Sequence, residues 1–210
     1  MTEKTPPSKS ERRRRAILDA AQEQVLSEGM IDFGLRRVAA RADLGLSSLQ
    51  HHFPTLKKLL SAVTADTLQQ EETYLRACIE SLPSDPSIAF EKAVLRLCDH
   101  AQEETRLAFL THIWAEGERD PDVMTGMQEL YATWRRELVK LLRPLYPSLT
   151  FVQLDQIAHL LVAGIEGHRI TGGTNASAEH NSTLAARHLL DAIRAFADTL
   201  APPPASPRFV

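Results

Sequence analysis

The chain has 210 residues, a hydrophobic fraction of 43% and a formal net charge of −3. That apolar content excludes a wholly disordered chain, and no apolar run reaches the roughly 18 residues of a membrane span. Residues 1–58 carry eleven Lys/Arg against seven Asp/Glu, whereas residues 59–210 carry thirteen against twenty, so a basic end that suits a polyanion sits on an acidic body.

No stretch sustains period-2 alternation, and helical periodicity runs through nearly all of the chain, which predicts an all-α fold. Ser8 and Glu11 have capping-box spacing and open a first helix. Ile17, Ala21 and Val25 form its apolar stripe, with Leu18 and Leu26 beside it, and Gly29 stops it. A short helix follows with Leu35, Val38, Ala39 and Ala42 on one face, broken by Ala42-Asp43-Leu44-Gly45. Another runs to about Phe53, with Leu49 and Phe53 one turn apart. Pro54 ends it, and Thr55 caps a long helix to about Leu82. Asp85-Pro86 and Asp120-Pro121 each place an Asp cap before a first-turn proline. Pro144 and Pro147 close another helix, Thr150 and Gln153 cap one reaching about Thr171, and Gly172-Gly173 end it. A last helix covers about 178–200. The expected total is nine: three short and basic, then six longer.

The tight break between the second and third helices describes a helix-turn-helix, whose third helix enters the major groove of DNA. With the apolar positions assigned to the core, Ser47, Ser48, Gln50 and His51 remain as a polar face. Hydroxyl, amide and imidazole groups suit phosphates and base edges.

Residues 12–63, "ILDAAQEQVLSEG…LRRVAARADLGLSSLQHHFPTLKKLLSAV", resemble the DNA-binding domain of TetR-family transcriptional regulators, and Thr111 to Leu142 are similar to the C-terminal domain of the BetI-type branch. The resemblance implies a repressor that binds a palindromic operator as a homodimer and is released by a small molecule. It implies Leu46, Ser47 and Gln50 at base edges, and Ser48, Gln50, His52 and Lys57 at phosphates. Arg12, Arg13, Arg36 and His51 complete the expected DNA-binding set. The chain departs from the family pattern in having Gln50 where a tyrosine is usual, glycine at both cap positions 34 and 45, Leu56 for a lysine, and Asp43 for the turn glycine. Glycine caps a helix almost as well as serine, to within a few tenths of a kcal/mol, and aspartate tolerates left-handed backbone better than most residues.

His51 and His52 point about 100° apart on a helix, so they cannot easily share a metal, and neither a metal nor a cofactor is expected. Four consecutive arginines, Arg12–Arg15, near a helix start oppose the macrodipole. The plain reading is a solvated first turn. The alternative lays a basic arm and these arginines along the phosphate backbone or in a minor groove.

In the acidic body, large apolar residues at helical spacing ordinarily build a core, but the resemblance also implies a ligand cavity. Phe109, Trp114, Met127, Tyr131 and Leu161 are its expected walls and His159 its polar anchor. The helix about 150–171 is apolar on two sides: Leu154, Ile157, Ala158, Leu161 and Ile165 on one, Leu160, Ala163, Gly164 and Gly167 on the other. The last helix is also two-sided, with Ala185, Leu189, Ala192 and Phe196 on one stripe and Leu184, Ile193, Ala197 and Leu200 on another. One side suits the core, and Leu160, Ala163, Gly164, Gly167, Leu189, Ala192 and Phe196 suit a two-fold partner.

The expected organisation is a basic arm over 1–9, a helix-turn-helix domain over 10–54, a regulatory and dimerisation domain over 55–200, and a disordered tail over 201–210. A cytoplasmic location is expected from the polar N-terminus and from Cys78 and Cys98, which lack metal-ligand spacing. Two other classes remain open. One is a helical protein-interaction module. The other is a helical-bundle enzyme using His159 and Glu166, although no metal spacing, nucleophile elbow or phosphate loop supports it.

Overall fold

A computed structural model describes residues 8–29, 32–172 and 178–200; the expected arm before Ser8, the tail after Leu200 and Gly173 lie outside them. Within the described residues there are nine helices and no strand: α1 (Lys9–Glu28), α2 (Leu35–Arg41), α3 (Leu46–His52), α4 (Leu56–Glu80), α5 (Pro86–Ala101), α6 (Glu104–Gly117), α7 (Pro121–Leu142), α8 (Phe151–Gly172) and α9 (Ala178–Leu200). The first helix has 20 residues and is not one of the short ones.

The punctuation read from the sequence is the punctuation of the fold. The Glu11 N–H donates to Ser8 Oγ at 3.2 Å while the Ser8 N–H donates to Glu11 Oε2 at 2.7 Å, a reciprocal cap that satisfies orphan donors at the start of α1. Gly29 ends the helix with φ +72°, a left-handed geometry that glycine adopts without steric cost. Thr55 accepts from the Lys58 N–H at the start of α4, and Asp85 accepts from the Ile88 N–H at the start of α5. Thr150 and Gln153 cap α8 in both directions.

The chain divides into two compact units, Met1–Glu71 with Glu104–Gln128, and Glu72–Glu103 with Glu129–Val210. The units therefore do not follow a boundary at residue 54. The physical reason is visible in the first unit's core, where Ile17, Leu18, Val38, Leu49 and Phe53 of the helix-turn-helix enclose apolar side chains from beyond it: Leu59 and Val63 of α4 and Phe109 of α6. Each fully buried large side chain contributes about 1.5–3 kcal/mol of burial. α1, α2 and α3 alone would leave this core open. In the second unit α5, α8 and α9 pack on one another, and Phe90, Leu97, Trp134, Leu154, Leu161 and Ile193 are buried.

Candidate nucleic-acid interface

The turn between α2 and α3 is set by Asp43, the one non-glycine residue with positive φ among those described, at +53°. The Asp43 N–H donates to the Ala40 carbonyl at 3.2 Å, and the Leu44 N–H to the Ala39 carbonyl at 2.9 Å, so the helix end is closed by backbone alone. Aspartate thus stands in the left-handed position that the family usually gives to glycine. The turn and the buried Leu49 fix which face of α3 looks outward.

That face carries Ser47, Gln50 and His51 exposed, with Leu46, Ser48 and His52 half-buried. Arg36 is exposed on α2 and makes no ion pair among the described residues. Arg36, Leu46 and Gln50 share the lining of an open depression of about 500 Å³ with Asp32, Gly34, Leu35 and Arg37. The loop side of this depression is held from inside. Gln24, buried in α1, donates its amide to the Asp32 carbonyl at 3.0 Å, a role that its place in the apolar pattern of α1 did not announce.

The basic residues of the first unit divide into two groups. Arg37 pairs with Glu28 and Asp32, and Arg41 pairs with Glu23 and Glu28. Hydrogen bonds from Arg37 and then Arg41 hold the Glu28 carboxyl below its ordinary pKa. Arg15 donates to both carboxylate oxygens of Asp66 in α4, at 2.7 and 2.9 Å, and to Asp19. Gln22 and Gln70 also donate to Asp66. The Arg14 guanidinium lies 5.5 Å from the Phe53 ring centroid. Arg14 and Arg15 are therefore taken out of the expected basic arm, because their charges are already engaged within the unit. Arg12 and Arg13 are exposed near the start of α1. Lys57 is exposed at the start of α4, with its Nζ 3.7 Å from Asp120.

The His51 and His52 rings meet edge to face with centroids 5.7 Å apart. No group of three His, Cys, Asp or Glu side chains that could hold a metal is present among the described residues. Burial, with Asp99 adding to it, pushes the Cys98 thiol up to about 12, and burial raises Cys78 despite the nearby Arg96. Both thiols stay protonated, which leaves little thiolate for redox chemistry.

The ligand set is corrected in two places. Phe109 is 3% exposed inside the first unit's core, so its ring is a structural filler of the DNA-binding head. His159 is exposed beside Arg135, with 3.5 Å between Nη1 and Nδ1, and is not an anchor in an enclosed pocket. Of the others, Trp114 (42% exposed) and the buried Met127 belong to the first unit. Half-buried Tyr131 and buried Leu161 belong to the second.

The two-sided helices of the second unit are buried on one side only in part, since Leu184, on the stripe of Ile193 and Ala197, is 50% exposed. Ile157, Leu161 and Ile165 of α8 and Ile193 and Ala197 of α9 are buried. Leu160 is 45% and Phe196 36% exposed, and Ala163 and Ala192 are also exposed. Gly164, expected at a two-fold partner, is turned inward. A Cβ there would lie 2.6 Å from Leu189 Cδ1, so Gly164 and Leu189 meet each other within the chain and bring α8 close to α9. A Cβ at Gly167 would meet nothing within 4 Å.

A three-helix head with a helix-turn-helix, an outward polar recognition face and a separate all-helical body define a DNA-binding transcriptional regulator. Residues 86–201 match the family model for the C-terminal domain of BetI-type transcriptional repressors, and the chain belongs to the TetR family of transcriptional regulators. It is 26% identical over 164 residues to an uncharacterized HTH-type transcriptional regulator in the dhlA 5′ region of Xanthobacter autotrophicus, covering 74% of this chain and 77% of that one. A TetR transcription regulator from Haloarcula marismortui shares the fold with TM-score 0.70 at 14% identity, over 90% of this chain and 98% of that one. A structure from Saccharomonospora viridis in complex with choline does so with TM-score 0.69 at 19% identity, over 89% and 97%. These relatives are regulators, which sets aside the enzyme built on His159 and Glu166. No helix among the described residues is long and apolar enough to cross a membrane.

Proposed function

We propose that the chain is a repressor that binds a palindromic operator as a homodimer and is released by a small molecule. The observation that carries this reading is a pair of surfaces. Ser47, Gln50 and His51 stand exposed on α3, and the packed helices α8 and α9 leave Leu160, Ala163, Ala192 and Phe196 exposed. The polar surface suits a major groove. The apolar one suits a two-fold partner, and two copies present two recognition helices to successive grooves about 34 Å apart. Arg12, Arg13, Arg36, Ser48, His52 and Lys57 supply the phosphate contacts in this reading. The family's description as BetI-type repressors supports the sense of regulation.

A small-molecule effector is supported by the choline complex of a similar fold. Within the second unit, half-buried Tyr131 and buried Leu161 are the side chains that would meet an effector. The α4 helix runs through residues of both units and is the element through which an effector would bias the head. The size of such coupling is about 1–3 kcal/mol, roughly 5- to 150-fold in operator affinity.

In vitro selection from a random duplex library with the purified protein tests the core of the reading. A palindrome recovered at moderate salt and bound with a steep salt dependence supports it. No enriched sequence, or a wild-type monomer at micromolar concentration, sinks it. Titrating candidate ligands against the labelled operator, with Trp114 and Trp134 emission followed in parallel, tests release.

A further inference from the structure

Lys57 and Lys58 stand side by side in the first turn of α4, both exposed. They differ in one respect: Lys57 faces an acid, and Lys58 has no ion pair among the described residues. The acid is Asp120, in the turn between α6 and α7, 63 positions further along the chain. Its carboxylate has two occupations. Oδ1 accepts the Asp122 N–H at 3.1 Å, and the Asp120 carbonyl accepts the Met124 N–H at 3.1 Å, so Asp120 stands at the head of α7. Oδ2 lies 3.7 Å from Lys57 Nζ. The Asp120 side chain is 24% exposed and held by its hydrogen bond to the Asp122 N–H, whereas that of Lys57 is 84% exposed.

We propose that Asp120 is an internal competitor for the DNA phosphate that Lys57 would otherwise hold. The inference rests on the reading of Lys57 as a phosphate contact and adds the residue that restrains it. A carboxylate and a phosphate oxygen offer the same chemistry to an ammonium group, and Lys57 cannot satisfy both at full strength. The restraint is weak, because an exposed pair at this distance is screened by salt and by the entropy of the lysine chain. A weak restraint can be displaced by an operator and still subtract from binding to every sequence. Because the carboxylate is fixed by the cap of α7, a shift of that helix start changes how firmly Lys57 is held.

The test uses the full-length protein and a fluorescein-labelled random-sequence duplex, followed by anisotropy at several salt concentrations. Asp120→Asn removes the charge and keeps the cap, since Asn and Asp cap equally well. It should bind about two- to five-fold more tightly than wild type near 0.1 M salt, a range set by the usual strength of exposed pairs. Asp122→Asn changes the same net charge two residues away and should gain distinctly less. Lys57→Ala should weaken binding and reduce the salt slope by about one. In the Lys57→Ala background, Asp120→Asn should give no more than Asp122→Asn does. If Asp120→Asn gains no more than Asp122→Asn, or gains equally without Lys57, the competition is wrong and the lysine contact stands. If Lys57→Ala changes neither affinity nor slope, the phosphate reading of Lys57 falls, and the proposal with it. Thermal melts of each variant confirm that binding is compared between folded proteins.

Discussion

In the first unit several charged side chains of α1 and α2 are tied to acidic partners, and α3 turns a small polar face outward. Arg15, Arg37 and Arg41 meet Asp19, Asp66, Glu23, Glu28 and Asp32, while Ser47, Gln50 and Arg36 stay open. In the second unit the core is closed by α5, α8 and α9, yet α8 and α9 keep apolar side chains in water at Leu160 and Phe196. The head turns polar and basic side chains outward, and the body exposes apolar ones on α8 and α9. In the proposed reading DNA meets the first surface and a second copy of the chain meets the second.

Breaking the apolar surface should give the largest effect. Leu160→Asp with Phe196→Asp removes exposed groups, so the fold should survive. Light scattering should show half the wild-type mass, and operator affinity should fall by about 10²- to 10⁴-fold with loss of the second binding head. An unchanged mass would remove α8 and α9 from the dimer reading. Gly164→Leu is the contrasting substitution. Its side chain would collide with Leu189, so it should destabilise the protomer by about 1–3 kcal/mol through overpacking, read in a denaturant melt.

The head can be divided in the same way. Leu49 is fully buried under the recognition face, and Leu49→Ala should cost about 2–5 kcal/mol of stability in chemical denaturation. Ser47→Ala and Gln50→Ala, on the open face of the same seven-residue helix, should leave stability within about 0.5 kcal/mol. They should relax base preference by about 1–3 kcal/mol at one operator position each, measured with substituted duplexes. Equal stability losses for all three would mean that α3 has no free face.

A smaller effect comes from acid titration. The folded state holds the Glu28 carboxyl below its ordinary pKa, through hydrogen bonds from Arg37 and then Arg41. A lowered folded pKa contributes stability that is present above the unfolded value of about 4.3 and lost as pH falls through the folded one. Glu28→Gln should therefore lower the melting temperature at pH 7, and the difference from wild type should close as pH drops below the usual carboxylate range. A difference independent of pH would assign the effect to packing.

The smallest effect tests the cap of α2. Gly34 is the N-cap without a side-chain hydrogen bond, and a Cβ there meets nothing within 4 Å. Gly34→Ser should add a few tenths of a kcal/mol, read in the same melts. A loss of stability would show that the glycine is needed for its backbone.

The sequence by itself determined the helices, their caps and the helix-turn-helix. Capping boxes at Ser8 and Thr150, Asp85 before Pro86 and the Asp43 turn are local, since each is decided by residues within four positions and by fixed backbone geometry. The outward face of α3 was legible for the same reason: once Leu49 and Phe53 are assigned to the core, the 3.6-residue period leaves Ser47, Gln50 and His51 outside. Tertiary structure alone decided what depends on residues far apart in the chain. It placed Phe109 in the head, set Asp66 against Arg15 and Asp120 beside Lys57, and turned Gly164 toward Leu189. An aromatic ring at helical spacing carries no label for which core it fills, and a carboxylate carries none for which cation it meets. Periodicity reports that a side chain is turned inward or outward; only the packing of helices distant in sequence supplies the neighbour.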